Sequence, residues 1–511
     1  MLAAENDSLV NGKVGGLADV LRDLPNAIAD FGYQVFVITP AYGFLHQDNP
    51  SQKRTSINFP FAGKIANGEI WEVSAKHPKQ NVTHLVFEHP EIRGNKIYGS
   101  DPPDQPFAQD ATKYAIFCSA VGQYIKSLPP SSIIHLHDWH MGAFNLLREL
   151  HPDFKHLKTH KVVFTIHNLG YQGNRPIHGK HASVEQWFPE LFKDSDWIDK
   201  WKDPRYAEPQ FTPLAAGIRF SEKINTVSPT YAGEILKPSD HKNGFYGGEG
   251  LEQFLQKKKE ENSLFGILNG IEYPLQNNNQ PLSFLDLCNL SIKEILSDPQ
   301  SDTFSKKVIE RLGNIKAMQP SVILTSVTRI SEQKVRLLLE PGSNKITALD
   351  EILTHLEKVN GFYFLLGNGP RELEEKFEKA FNKHKRLVFI KLYSNKIGKM
   401  LYGNGTIFLM PSSFEPCGIS QMIAMQNGQP CVVHATGGLK DTVTDMVNGF
   451  QFCGDTIQEK VRNFITVTKK AIDICLTDKM RWKKMKDEAS NARFELSKKA
   501  EQYIDLLYKF H

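Results

Sequence analysis

Short apolar runs alternate with amphipathic helical stretches along most of this chain, and that alternation restricts it to an α/β architecture. Residues 34–38, 133–136, 162–166 and 223–227 read as buried strands. A second series follows at 322–327, 362–366, 387–390, 406–410 and 430–433. After Gly16, the positions Leu17, Val20, Leu21, Leu24 and Ile28 share one helical face, and Gly32 stops the helix. Repeated strand–helix units predict parallel sheets covered on both faces. At 511 residues the chain exceeds what one core accommodates. The polar stretch Pro274-Leu-Gln-Asn-Asn-Asn-Gln-Pro281 between the two series reads as a linker. The expected organisation is therefore a doubly wound domain over 1–272, a linker over 273–278 and a second doubly wound domain over 279–478. Helices over 479–511 close the chain and are expected to pack back on the first domain.

Charge and cysteine usage narrow the function classes. A formal net charge of +4 gives no case for a nucleic-acid partner, and Lys257-Lys-Lys259 reads as a solvated helix face. The six cysteines are scattered without a CxxC pair, which indicates neither a zinc ribbon nor a disulfide framework and fits a reducing, cytoplasmic setting. No apolar stretch approaches the ~20 residues of a membrane span. The N-terminus lacks the basic and apolar regions of a signal peptide.

The chemistry gathers at the predicted strand ends. Pro411-Ser-Ser-Phe-Glu-Pro-Cys-Gly-Ile-Ser-Gln421 links the strand ending at Met410 to a helix beginning near Ile419. It sets a lone carboxylate, Glu415, where α/β sheets bind ligands and where a helix start offers N–H groups to an anion. That pairing suits a substrate with a polyhydroxy part and a phosphate part, such as a nucleotide sugar. His135-Leu-His-Asp-Trp-His140, then His167 and Asn168, end strands of the first series. Arg329, Lys334, Gly367-Asn-Gly369 and Tyr393 follow strands of the second. Breaking a sugar–diphosphate bond needs fixed cations more than a strong acid, which casts Arg329 and Lys334 as phosphate clamps aided by backbone N–H groups near Gly16. Glu415, Asp138 and His167 would meet the sugar, and Tyr393 offers a flat face to a base. Simpler roles compete. Asp138 also suits a helix N-cap. The cluster His135, His137 and His140 resembles a metal site but has no carboxylate-rich partner motif. Cys417 fits a packed residue better than a nucleophile. Gly15-Gly-Leu-Ala-Asp19 and Gly437-Gly-Leu-Lys-Asp441 echo each other, as ligand-approach loops or as plain helix caps.

Eight ordered segments now carry a resemblance: Lys13-Val-Gly-Gly-Leu-Ala-Asp-Val20, His137-Asp-Trp-His140, Thr165-Ile-His-Asn-Leu-Gly-Tyr-Gln172, Thr226-Val-Ser-Pro-Thr-Tyr231, Gly266-Ile-Leu-Asn-Gly-Ile271, Arg329 through Gln333-Lys334, Phe414-Glu-Pro-Cys-Gly418 and Thr436-Gly-Gly438. Together they resemble the bacterial glycogen synthase and plant starch synthase family, glycosyltransferase family 5. The resemblance implies a GT-B fold, two Rossmann-like domains with an inter-domain cleft. It implies retaining transfer of glucose from ADP-glucose to the non-reducing end of an α-1,4-glucan (glycogen), with no metal, no tightly bound organic cofactor, no nucleic acid and no membrane. By the same resemblance Lys13, Gly15, Gly16 and Asp19 belong to the donor loop, and Asp138 and His167 to the sugar site. Arg329 and Lys334 clamp phosphate, Tyr393 stacks on adenine, and Glu415 binds glucose. Asn269, Cys417, Gly418, Ser420, Gly437 and Gly438 complete the substrate-binding set.

This sequence departs from the family pattern at several places. Ser413 stands where Arg is common, Val335 where Gly usually follows Gln-Lys, His434-Ala435 where a basic pair is common, and Leu275-Gln276 where Trp is expected. Only Leu2-Ala-Ala4 remains of the apolar strand that precedes the donor loop, which leads to the expectation of a mis-assigned start or a shortened chain. A catalytically impaired paralogue that binds glucan or regulates a partner, and a GT-B enzyme with another acceptor, are the competing functions.

Overall fold

The computed structural model describes every residue except 100, 102–104, 131, 180, 194–195, 274–281, 300, 343–345 and 511. The chain divides into two compact units: Met1–Ser239, Gly247–Gly270 and Leu496–His511 form unit 1, and Asp240–Tyr246 and Ile271–Glu495 form unit 2.

The strands of unit 1 are β1 (Val35–Pro40), β2 (Ser51–Phe61), β3 (Lys64–Val73), β4 (Val82–Glu88), β5 (Ile133–His137), β6 (Lys161–Ile166), the two-residue β7 (Arg175–Pro176) and β8 (Gln210–Phe211), β9 (Lys223–Thr226) and β10 (Leu264–Gly266). Among the described residues they form sheets of order β1-β4-β3-β2 and β10-β9-β6-β5, with β7 and β8 paired apart. Leu2 joins the two larger sheets, bridging Ile38 of β1 and Leu136 of β5 in parallel. Its N–H donates to His135 O at 2.8 Å and its carbonyl accepts from His137 N at 3.1 Å. Residues 1–3 thus fill the central position of one continuous sheet. The expectation of wholly parallel sheets is corrected at one edge, where β3 runs antiparallel to both β2 and β4. The cause is the two-residue turn Ala62-Gly63, with φ of 52° and 71°, the geometry that closes a tight hairpin.

The helix Gly16–Ala29 buries Leu17, Val20, Leu21, Leu24 and Ile28 as its spacing predicts. The same core takes Ala500, Tyr503 and Leu507 from the end of the chain. Each such large apolar side chain contributes roughly 1.5–3 kcal/mol when buried.

Unit 2 carries β11 (Val322–Val327), β12 (Gly361–Leu366), β13 (Leu387–Ile390), β14 (Ile407–Met410), β15 (Cys431–His434) and β16 (Gly449–Phe452). They form a parallel sheet of order β13-β12-β11-β14-β15-β16. This is the doubly wound order in which the chain reverses direction across the sheet between its first and fourth strands. That switch point lies between β11 and β14.

Two boundaries differ from expectation. The block 479–511 divides: the helix Lys479–Asn491 puts Trp482 and Met485 into the unit 2 core, and only the residues from Leu496 onward join unit 1. The apolar residues of a Lys-rich helix decide where it packs. Residues 240–246 belong with unit 2, where the Lys460 ammonium donates to Asn243 O at 2.7 Å and to Gly244 O at 3.2 Å. Of the expected linker only Tyr273 falls within the described residues, and its hydroxyl donates to Ala492 O at 3.2 Å. No helix among the described residues is long and apolar enough to cross a membrane.

Candidate active site

In each unit the expected groups stand after the C-terminal ends of parallel strands, and in each some of them flank a switch point. In unit 1 the chain leaves the central residues 1–3 for β1 on one side and returns to β5 on the other. The loop Lys13–Gly16 follows the central segment and Asp138 follows β5.

Asp138 is the most constrained residue of that set. Its φ of 58° with ψ of −180° is a conformation nearly reserved for glycine, costing of order 1–3 kcal/mol. It heads the short turn Trp139–Met141 but makes no side-chain cap, so the capping role is not the one it plays. Instead its Oδ1 accepts from His167 N at 2.7 Å and from Asn168 N at 3.3 Å, tying the ends of β5 and β6 together. Burial pushes the Asp138 carboxyl up to about 7, against the pull of those two backbone bonds. His167 Nε2 lies 3.0 Å from His137 Nδ1, and burial lowers His167 to about 3, so the ring is neutral.

The neighbouring histidines are not assembled for a metal. Both nitrogens of His135 are bonded, Nδ1 to Tyr508 OH at 2.7 Å and Nε2 to Thr165 Oγ1 at 2.6 Å. Among the described residues no three His, Cys, Asp or Glu side chains converge on a common point that could hold a metal ion.

The donor loop holds a correction. The N–H groups of Val14 and Gly15, expected to be offered to phosphate, donate to the Glu5 carboxylate at 2.7 and 2.5 Å. The other Glu5 oxygen accepts from Tyr98 OH at 2.6 Å. Glu5 is buried, and sequence reasoning missed it, although a lone acid directly after Leu2-Ala-Ala4 was a usable signal. Lys13 reaches Asp19 at 2.5 Å and Asp7 at 3.6 Å, so its charge is balanced locally. Gly16 stands apart: a Cβ there would meet nothing within 4 Å. Asn269, half-buried, follows β10.

In unit 2, Glu415 is 7% exposed at the end of β14. Its Oε2 accepts from the Lys334 ammonium at 2.5 Å and from Ser412 Oγ at 3.2 Å, while Oε1 bonds to no described residue. Lys334 also donates to Phe414 O at 3.3 Å, which leaves the third N–H of the ammonium. Arg329, after β11, is exposed and makes no ion pair with any described residue. Tyr393, after β13, is 66% exposed, with its hydroxyl on Asn395 Oδ1 at 3.1 Å.

The Ser420 hydroxyl, expected in the substrate-binding set, accepts from Tyr402 OH at 2.9 Å and donates to Val327 O at 3.4 Å. Cys417 is buried. Gly418 has φ of +78° and sits against Gln421, whose side chain a Cβ would meet at 2.5 Å. The Gly437-Gly438 pair is packed differently from Gly15-Gly16. A Cβ on Gly437 would lie 2.0 Å from Glu415 O, and one on Gly438 2.3 Å from Cys417 O. These glycines admit the backbone of 415–417, and they follow β15 rather than a strand at the switch point. Ser413, one of the departures, is buried, and its hydroxyl has no partner among the described residues.

Known proteins resemble this chain over nearly its whole length. Residues 1–257 match the starch synthase catalytic domain, and residues 343–481 match glycosyl transferases group 1. A glycogen synthase of Desulfitobacterium hafniense is 31% identical over 508 residues, covering 97% of this chain and 95% of that protein. Glycogen synthase 1 of Synechocystis sp. is 28% identical over 515 residues, covering 98% and 93%. The solved catalytic domain of starch synthase IV from Arabidopsis thaliana, bound to ADP and acarbose, superposes with a TM-score of 0.76 at 24% identity, covering 99% of this chain and 97% of that one. Its likeness establishes the GT-B fold of two Rossmann-like domains. The chain belongs to the glycogen and starch synthase family, glycosyltransferase family 5, and is an enzyme of glucosyl transfer from a nucleotide sugar to a glucan.

Proposed function

We propose that the donor is ADP-glucose, that the acceptor is the non-reducing end of an α-1,4-glucan, and that transfer retains the anomeric configuration. The observation that carries this reading is the switch point of unit 2, where an unpaired Arg329 and a half-satisfied Lys334–Glu415 pair follow the first and fourth strands of the doubly wound order. Arg329 supplies a planar fork for the departing diphosphate, and the remaining Lys334 N–H a point donor. Glu415 Oε1 accepts from glucose hydroxyls. Tyr393 presents an exposed ring for the adenine, in keeping with the ADP bound by the starch synthase IV neighbour. Lys13, Gly16 and Asp19 serve the donor's approach in the same reaction, Asp138 and His167 meet its sugar, and Asn269 completes the substrate-binding set. Ser420, Cys417, Gly418, Gly437 and Gly438 shape the backbone that holds Glu415. A cytoplasmic setting is part of this reading, and the six scattered cysteines without a CxxC pair support it.

The test is transfer of labelled glucose to glycogen by the purified chain, with ADP-glucose and UDP-glucose in parallel. Incorporation with ADP-glucose and release by an α-1,4-specific glucanase is the expected result. No incorporation from either donor overturns the proposal.

A further inference from the structure

We infer that His137 sets the tautomer of His167, so that His167 meets its ligand as an Nδ1–H donor and not as a base. The two rings share one hydrogen bond, His137 Nδ1 to His167 Nε2 at 3.0 Å, and one of the two nitrogens must carry the proton. The other nitrogen of His137 decides which. His137 Nε2 is buried, in a residue that is 0% exposed, and has no hydrogen-bond partner among the described residues. Were the proton on Nε2, the fold would bury an N–H with no acceptor, which is rarer in folded proteins than a lone pair without a donor. The proton therefore sits on His137 Nδ1 and is donated to His167 Nε2. Burial keeps both rings neutral. A neutral imidazole that accepts at Nε2 has its own proton at Nδ1. His167 Nδ1 bonds to no described residue, so that donor is left for a ligand.

The ring that sets this is itself held. His137 stacks on His135 with centroids 4.2 Å apart. His135 is pinned through Tyr508 OH at 2.7 Å and Thr165 Oγ1 at 2.6 Å, and the Thr165 hydroxyl in turn donates to Asn225 Oδ1 at 2.6 Å. With the Thr165 proton committed to Asn225, His135 donates from Nε2 and accepts the Tyr508 proton at Nδ1. His137 is thus a positioning residue. It touches no substrate, and it acts by fixing which face of His167 donates.

The chemical consequence rests on the proposed glucosyl transfer. An Nδ1–H aimed at the sugar stabilises an oxygen that gains negative character or holds a hydroxyl in place, and it takes up no proton during the reaction. The tautomer itself is independent of that reading.

The experiment uses the full chain labelled with 15N-histidine. Long-range 15N–1H correlation separates Nδ1–H from Nε2–H rings, and the His167 signal is assigned by its loss in His167→Gln. The expected spectrum shows His167 as the neutral Nδ1–H form near neutral pH. His137→Leu removes the donor and should shift His167 toward Nε2–H, lowering kcat about tenfold with little change in KM. His137→Asn keeps an N–H at the place of Nδ1 and should restore both the Nδ1–H signature and most of kcat. An Nε2–H signature in the wild-type protein, or an unchanged His167 signal in a folded His137→Leu variant, overturns the inference. If His137→Leu does not fold, the wild-type and His137→Asn spectra decide. A correct tautomer in a chain inactive toward every donor would instead count against the proposed reaction alone.

Discussion

The ammonium of Lys334 lies 2.5 Å from the Glu415 carboxylate, at the ends of the two strands where unit 2 changes winding direction. Both side chains are largely shielded, with 13% and 8% of their surface exposed. One interaction therefore serves the fold and the chemistry together.

Removing one partner strands the other charge in a dry setting. Glu415→Ala is expected to lower stability by about 3 kcal/mol, since an uncompensated buried charge is costly. Glu415→Gln, which keeps an acceptor for Lys334, should cost less. Denaturant unfolding of both variants, alongside a glucosyl-transfer assay, checks this. Equal stability of Glu415→Ala and wild type would show the pair to be solvated.

The glycines near the two loops should respond in opposite ways. Gly438→Ala drives a methyl to 2.3 Å from Cys417 O and should destabilise by about 1–3 kcal/mol while displacing 415–417. Gly16→Ala meets open space and should change stability by no more than about 0.5 kcal/mol. If a donor approaches that backbone as proposed, Gly16→Ala raises the donor KM without unfolding the protein. Melting curves with steady-state kinetics separate the two effects.

Arg329 is exposed and pairs with no described residue, so Arg329→Ala should leave the melting temperature essentially unchanged. Its loss should nevertheless cut kcat/KM for the nucleotide sugar at least tenfold or so, with Arg329→Lys recovering only part because the fork is gone. A stability loss without a kinetic one would reassign Arg329 to structure.

Acid and base act on the unit 1 set with opposite signs. Burial raises Asp138 to about 7, so its contribution to stability is fully present below its unfolded value of 3.8 and is lost as pH rises through 7. Burial depresses His167 to about 3 and His84 to about 4. Their contribution is present above 6.5 and is lost as pH falls through those values. Asp138→Asn keeps the acceptor for His167 N but removes the first term. The variant should therefore gain on wild type, in denaturant midpoint, as pH rises from about 5 to about 8. A pH-independent difference between the two proteins would show that the carboxyl is ionised at an ordinary value.

Much of this was legible in the sequence, for identifiable reasons. Continuous apolar runs such as 322–327 and 387–390 became strands at almost the same residues, because strands buried on both faces tolerate nothing else. The placement of Asp138, Arg329 and Glu415 followed from the rule that ligands meet strand ends. The hairpin β2–β3 was not read, because most of its positions are polar or exposed and burial is confined to Phe59–Phe61 of β2 and to Gly68, Ile70 and Val73 of β3. The partners of Glu5 and the Lys334–Glu415 pair were out of reach for another reason. Who accepts a hydrogen bond from Val14, or which carboxylate an ammonium 81 positions away selects, is settled only when the sheet assembles. The excursion of residues 240–246 into unit 2 likewise depends on Lys460, a single buried ammonium far along the chain.

The hydroxyl that pins His135 belongs to Tyr508, 373 positions further on. A nascent chain must therefore be translated through all of unit 2 before unit 1 acquires its last helix and its histidine stack. Until then the apolar face of Gly16–Ala29 that Ala500, Tyr503 and Leu507 cover stays open, and chaperone capture or premature aggregation on the ribosome has its natural foothold there.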